Sequence, residues 1–240
     1  MKLTFLGTRG EIDARTPRHR RHTSLLVEYR RKRVMIDCGE DWRGHIDQVR
    51  PQAIVLTHGH PDHAWGLSEG APCPVYATEA TWEDIDDYPI DDRHTVEPGK
   101  PLAIRGIGFL AHTVEHSTRC PAVGYRVEAG RAAFWYAPDV VYIHQRGEAL
   151  QGVALYVGDG ATLARSMVRK QGDRLIGHTP VRTQLTWCRK EGVPEAIITH
   201  CGSGIVEGDE RKLIPQVQRW ACRRGLAATI AHDGMEKVLR

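Results

Sequence analysis

Short apolar runs separated by polar and glycine-rich punctuation dominate the chain. Lys2–Leu6 alternates as a strand does, turns at Gly7-Thr8-Arg9-Gly10 and leads into a polar, basic loop from Glu11 to His22. Thr23–Tyr29 and Arg33–Ile36 read as a hairpin with Arg30-Arg31-Lys32 near its turn. Ala53–Leu56 is long enough for a buried strand and too short for a helix. Val75–Ala77, Leu102–Ile104, Ile107–Ala111, Ala122–Glu128, Ala132–Tyr136, Ala154–Val157 and Ala196–Ile198 are further strand candidates. Apolar residues near helical spacing predict helices over Ala161–Lys170, Val181–Glu191 and Lys212–Arg223, and Ala227–Ile230 with Glu236–Leu239 would close the sheet. Many strands first, then strands alternating with helices, predict an α/β protein with sheets packed together and helices outside. Nothing repeats with a period of about 20–50 residues. No linker stands out either, so residues 1–240 are read as one domain.

Composition narrows the class. With 41% hydrophobic and 26% charged residues the chain can bury a core, which excludes disorder as its dominant state. A net charge of +3 gives no whole-molecule field toward nucleic acid. Locally, Arg15, Arg18, Arg20, Arg21, Arg30, Arg31, Lys32 and Arg33 form a basic segment that offers phosphate contacts. The plainer alternative is a solvated loop and hairpin tip, balanced by Glu83-Asp84-Ile85-Asp86-Asp87 and Asp91-Asp92. No apolar run approaches the ~18 residues of a membrane helix. Met1–Gly7 lacks the apolar stretch of a signal peptide, and the expected location is the cytoplasm, away from membranes. None of the six cysteines forms a CxxC pair, so they are expected as reduced, mostly buried thiols. One or two could still sit near a metal site, and Cys201, which follows His200, is the candidate. Trp42, Trp65 and Trp82 are core candidates that could instead line a pocket entrance and stack on a base.

The 13 histidines carry the chemistry. Thr57-His58-Gly59-His60-Pro61-Asp62-His63 directly follows Ala53–Leu56. Its glycine and proline exclude a regular helix, so it is read as a loop at a strand end. His58 and His60 can point one way from extended backbone while Asp62 and His63 face a second point, which suits two neighbouring metals. His116, Asp139 and His200 each stand just past a short apolar strand, where strand ends converge on one edge. His22 and His112 are weaker candidates, for outer-layer or surface roles.

His58-x-His60-x-Asp62-His63, followed in order by His116, Asp139 and His200, resembles the metallo-β-lactamase superfamily. Phe5-Leu6-Gly7-Thr8, Thr23-Ser24-Leu25-Leu26-Val27 and Met35-Ile36-Asp37-Cys38-Gly39-Glu40 resemble its branch of ribonuclease Z and related short phosphodiesterases. The resemblance implies a four-layer αββα sandwich. It implies one metal held by His58, His60 and His116, another held by Asp62, His63 and His200, and Asp139 bridging both. Two divalent ions follow, zinc first, with manganese or iron fitting the same ligands. Relatives of that branch are often homodimers, so a homodimer is an open expectation.

Gly177-His178-Thr179-Pro180 resembles the segment that precedes the last metal histidine in the ribonuclease Z branch, which implies His178 as a proton donor or phosphate contact. The competing reading is a helix-capping turn. Two metals sharing a hydroxide would supply the nucleophile, with Asp62 orienting it and His178 protonating the leaving group. The expected function is a phosphodiesterase acting on a small or single-stranded nucleotide phosphodiester, such as a cyclic nucleotide, a nucleotide ester or short RNA. The alternative is a hydrolase of a carboxylic ester, thioester or lactone. Only 23 residues separate His116 from Asp139, where ribonuclease Z often carries a long tRNA-gripping insertion. Cys201-Gly202-Ser203-Gly204 suggests an open substrate pocket.

Overall fold

The structure, a computed structural model, describes residues 1–240. The N-terminal part gives β1 (Lys2–Gly7), β2 (Ser24–Tyr29), β3 (Lys32–Ile36), β4 (Ala53–Val55), β5 (Val75–Ala77) and β6 (Arg93–Thr95). Then come β7 (Pro101–Ile104), β8 (Ile107–Glu115), β9 (Ala122–Ala129), β10 (Ala132–Ala137), β11 (Tyr142–Ile143) and β12 (Leu155–Asp159). A small ribbon follows, β13 (Arg169–Gln171) and β14 (Arg174–Ile176), before β15 (Glu195–Thr199), β16 (Ala227–Ile230) and β17 (Glu236–Val238).

Two mixed sheets result. One runs β17-β1-β2-β3-β4-β5-β6; the other runs β11-β8-β9-β10-β12-β15-β16, with β7 on β8. In each, an antiparallel half passes into a parallel half, at β3 in the first sheet and at β10 in the second.

Side-chain alternation sorts the layers. Along β3 and β4, Val34, Ile36, Ala53 and Val55 enter the core between the sheets. Their neighbours Met35, Ile54 and Leu56 face the opposite way, onto Trp42, Ile46 and Trp82. In the second sheet Phe134, Tyr136, Leu155 and Val157 share the central core. Trp135, Tyr156, Ala196 and Ile198 point outward onto Leu185 and Cys188 of the helix Val181–Lys190 and Val217 of the helix Glu210–Cys222. Period-two alternation with both faces apolar is what a strand sealed on both sides requires. The order helix, sheet, sheet, helix is the four-layer αββα arrangement.

Three expectations change. Ala161–Lys170 is not a helix: it is irregular to Val168 and then enters β13. Its apolar residues at helical spacing, Leu163 with Met167 and Ala164 with Val168, give no stripe to bury, and Ala164–Met167 is exposed. Val181 and Arg182 instead donate their N–H groups to the Thr162 and Leu163 carbonyls, and a two-residue Gly172-Asp173 turn, with Gly172 at φ +59°, closes the ribbon. The metal-candidate loop contains one helical turn, Pro61–Ala64, because Pro61 occupies the first helical position where no N–H is missed. Trp42 and Trp82 are buried beneath the first sheet, and neither they nor the exposed Trp65 lines the main cavity. No helix is long and apolar enough to cross a membrane.

Candidate metal centre

Strand ends bring the candidates together. β4 delivers Thr57 and His58, β8 runs on to His116, β10 to Asp139 and β15 to His200. His58 Nε2 lies 3.0 Å from His60 Nδ1, and His116 Nε2 lies 3.3 Å from the same atom. Asp62 Oδ2 lies 3.0 Å from His200 Nε2 and 3.3 Å from His63 Nε2. Asp139 stands between the two triads. Its Oδ1 is 3.5 Å from His116 Nε2, and its Oδ2 is 2.7 Å from His63 Nε2 and 3.3 Å from His200 Nε2. All seven residues named from the sequence therefore meet in one cluster.

The donor set suits cations. His58–His60–His116 and Asp62–His63–His200 each present three ligand atoms within 4.8 Å of one another. His63 Nε2 and Asp139 Oδ2 are both buried and lie 2.7 Å apart without the alignment of a hydrogen bond. Two such lone-pair donors placed side by side are what a shared ion requires.

The rings of His58, His63 and His116 are tied down on their far side. His58 Nδ1 meets Thr57 Oγ1 at 3.0 Å, and that hydroxyl donates to Asp37 Oδ1 at 2.9 Å. His63 Nδ1 meets Asp37 Oδ2 at 3.0 Å, and His116 Nδ1 meets the Gly177 carbonyl at 3.1 Å. His200 Nδ1 stands 3.7 Å from Asp159 Oδ1, while His178 Nδ1 lies 2.8 Å from Asp159 Oδ2. Such contacts fix the tautomer and aim the other nitrogen inward. His200 takes a left-handed backbone, φ 49°, immediately after β15. Gly10 lies so close to its ring that a Cβ there would fall 2.9 Å from Cε1, which leaves room only for glycine.

Charge separates the rings into two kinds. Burial, then the neighbouring imidazoles, pushes His58 well down, and burial likewise lowers His60 to about 4 and lowers His116. These are neutral donors. Burial acts the same way on His63, but Asp62, Asp139 and Asp37 overcome it and hold its pKa well up. Against burial, Asp139 and then Asp159 and Asp62 lift His200 to about 10. The carboxylates demand positive charge, and without a metal these two rings carry it as protons.

A cavity of about 390 Å³ opens over the cluster. His60, Asp62, His116, Asp139, His178 and His200 line it, with Gly10, Glu11 and Gly202–Gly204 completing the wall. His58 and His63 lie beneath it, fully buried. His178 is no capping residue: Pro180 precedes the helix Val181–Lys190, which has no side-chain cap. Ser203–Val206 forms one helical turn, and Gly202, Ser203 and Gly204 line the cavity.

Cys201 stays out of the centre. Its thiol is buried in the outer core, and its backbone bonds to Thr8 and Gly10. All six cysteines are free, but only Cys38, Cys188 and Cys201 are buried. His22 pairs with Asp41 at 2.9 Å, and His112 packs its ring on Trp135. Much of the basic N-terminal segment is also neutralised: Arg15 pairs with Asp41, Arg18 with Glu210 and Arg33 with Glu28. Sequence reasoning missed Asp37, Thr57, Asp159 and Gly10. Asp37 and Asp159 also stand at the ends of apolar strands, the signal that marked Asp139 and His200.

Residues 32–201 match the family described as the beta-lactamase superfamily domain, and the chain belongs to that superfamily. Ribonuclease Z of Methanopyrus kandleri is 32% identical over 145 residues, 52% of this chain and 50% of that protein. Ribonuclease Z of Thermosynechococcus vestitus is 29% identical over 154 residues, 54% of this chain and 37% of that protein. The chain thus spans half or less of the length of these curated relatives. Among solved structures, the metallo-beta-lactamase fold protein YhfI of Bacillus subtilis superposes with a TM-score of 0.77 at 16% identity, covering 98% of each chain. A diphosphatase of the PhnP family superposes at 0.72 with 22% identity, covering 100% of this chain and 98% of its own. These likenesses show the metallo-β-lactamase fold.

Proposed function

We propose that this chain is a metal-dependent phosphodiesterase acting on a small or single-stranded nucleotide phosphodiester. One observation carries the reading: two triads of ligand atoms share Asp139, and His178 faces the same cavity from the side. His58, His60 and His116 would hold one divalent ion and Asp62, His63 and His200 a second, with Asp139 available to both; zinc suits the imidazole-rich set. When bound, such a pair supplies a nucleophile at neutral pH and neutralises charge on the phosphoryl oxygens.

The chain's own residues do the rest. Asp62 orients the attacking water from the cavity floor. The P–O bond to the leaving group breaks as the new P–O bond forms, and the departing alkoxide needs a proton. His178 stands ready to give it: Asp159 holds Nδ1, and Nε2 has no partner in the protein. Burial favours the neutral ring, but Asp159 outweighs it and raises the pKa of His178, which favours the proton-donor form. The names of the relatives, ribonuclease Z and a PhnP-family diphosphatase, agree with a phosphate ester as substrate.

The test is hydrolysis of bis(p-nitrophenyl) phosphate, with metal content measured on the same sample and lactone and thioester panels run beside it. Turnover with about two ions per chain, lost together with the metal in Asp139→Ala, is the expected result. Two bound ions with turnover only on the carbonyl panels would overturn it.

A further inference from the structure

Two grooves leave the metal cavity, and they differ in charge. Toward the N-terminal loop, the groove is lined by Glu11, Asp13 and Glu40, and its arginines, Arg9 and Arg15, are both taken by Asp41. The other groove, of about 270 Å³, shares His60, His116, Met167 and His178 with the main cavity and holds no carboxylate. Arg119 with Ser117 and Thr118 forms one wall, and Arg169 and Gln171 of the β13–β14 ribbon form the other.

The ribbon is built into the centre. At its base, Gly177 N–H donates to the His116 carbonyl at 2.8 Å, and Met167 N–H donates to the His178 carbonyl at 3.3 Å. Thr118 Oγ1 donates to Gln171 Oε1 at 2.9 Å across the groove. Residues directly opposite in a hairpin share a face, so Arg174, paired with Gln171, stands on the groove face with Arg169, while Lys170 and Leu175 face away. Arg119, Arg169 and Arg174 are exposed and have no salt-bridge partner. Unpaired guanidinium groups beside a phosphoryl-transfer cavity are fitted to further phosphates of the same substrate.

Resting on the phosphodiesterase reading, we infer that the β13–β14 ribbon and Arg119 form a phosphate lane that holds the strand beside the scissile bond. The preferred substrate is then a single-stranded polynucleotide rather than a mononucleotide. The lane reads backbone charge and tolerates any sequence.

Fluorescence anisotropy on the metal-loaded full chain tests this, using a labelled RNA strand of about twelve nucleotides and a labelled mononucleotide. The strand is expected to bind far more tightly. Arg169→Ala with Arg174→Ala should weaken it by roughly tenfold or more at low salt. The same double variant should flatten the slope of log affinity against log salt by about 1.4, two phosphate contacts' worth. Arg119→Ala, on a separate element, should act in the same direction. Lys170→Ala on the back of the ribbon should stay within about twofold of the parent. Equal binding of strand and mononucleotide overturns the lane. So does a double variant that melts normally and binds like the parent, or a Lys170→Ala loss as large as the double variant's. Binding is read without turnover, so salt-dependent strand binding with no diester hydrolysis sinks the phosphodiesterase reading and leaves the lane standing.

Discussion

Two fully buried aspartates, Asp37 and Asp159, do similar work in different surroundings. Asp37 follows β3 and accepts from Thr57 N–H at 2.8 Å, from Thr57 Oγ1, from the His63 ring and from Tyr136 Oη at 3.3 Å. None of these partners lines the cavity. Asp159 ends β12 and accepts from the Val140 and Ala161 N–H groups, beside His178 and His200, which both line it. Burial opposes ionisation of Asp159, but His178 and then His200 outweigh it and draw its pKa down. One carboxylate is closed into the fold, and the other reaches the substrate space through the imidazoles of His178 and His200. Distance from the cavity, more than number of hydrogen bonds, separates a residue that holds the centre from one that serves the reaction.

The comparison predicts graded losses. The largest falls on the open side: His178→Ala should cut kcat by about 10²–10⁴-fold with metal content unchanged, since it removes a proton donor and no ligand. Loss of metal in that variant would count against the division. Asp159→Asn should follow at about 10–100-fold in kcat, with the pH–rate profile displaced, because His178 loses the charge that keeps it protonated. A profile identical to the parent's would mean that Asp159 only packs. Asp37→Asn belongs to the closed side. It should weaken metal affinity by about 10–100-fold and lower stability by about 1–3 kcal/mol, yet turn over normally once saturated with metal. Slow turnover at full occupancy would erase the difference between the two aspartates.

The smallest effect concerns the metal-free protein and pH. The folded pKa of His200 lies near 10, above its unfolded value, so its contribution is full below about pH 6.5 and is lost as pH rises toward 10. His60, lowered to about 4, contributes above about pH 6.5 and is lost as pH falls through 4. The melting temperature of the metal-free chain should therefore be highest near pH 6.5 and fall on either side. The alkaline decline should shrink when metal replaces the His200 proton. An unchanged alkaline limb with metal bound would show that the proton and the ion do not compete.

Much of this was legible in the chain. The seven clustered residues follow apolar runs that only a buried strand explains, and strand ends converge. Asp37 and Asp159 obey the same rule but went unassigned, because an aspartate after a strand is common and its partner histidines lie 19 to 41 residues away. The β13–β14 ribbon was hidden by apparent helical spacing between Leu163 and Met167, while the Gly172-Asp173 turn that decides the matter is local and readable. The basic N-terminal segment left two readings open for a different reason. Arg18 meets Glu210 and Arg15 meets Asp41, and sequence distance conceals such pairings. The tryptophans were ambiguous because strand faces and pocket rims both take aromatic residues.

The meeting of Gly10 with His200 has a consequence for the order of synthesis. Thr8 and Gly10 bond through their backbones to Cys201, and Phe5 to Gly234 and Met235, so β1 and the turn after it are completed by residues made about 200 positions later. β1 gains its outer neighbour only when β17 arrives, and until then it presents an open strand edge. On the ribosome β1 is made well before β17 and must wait for it. The centre is therefore among the last things the molecule finishes, and an arrested or truncated product would carry most of the ligands in a site that cannot close.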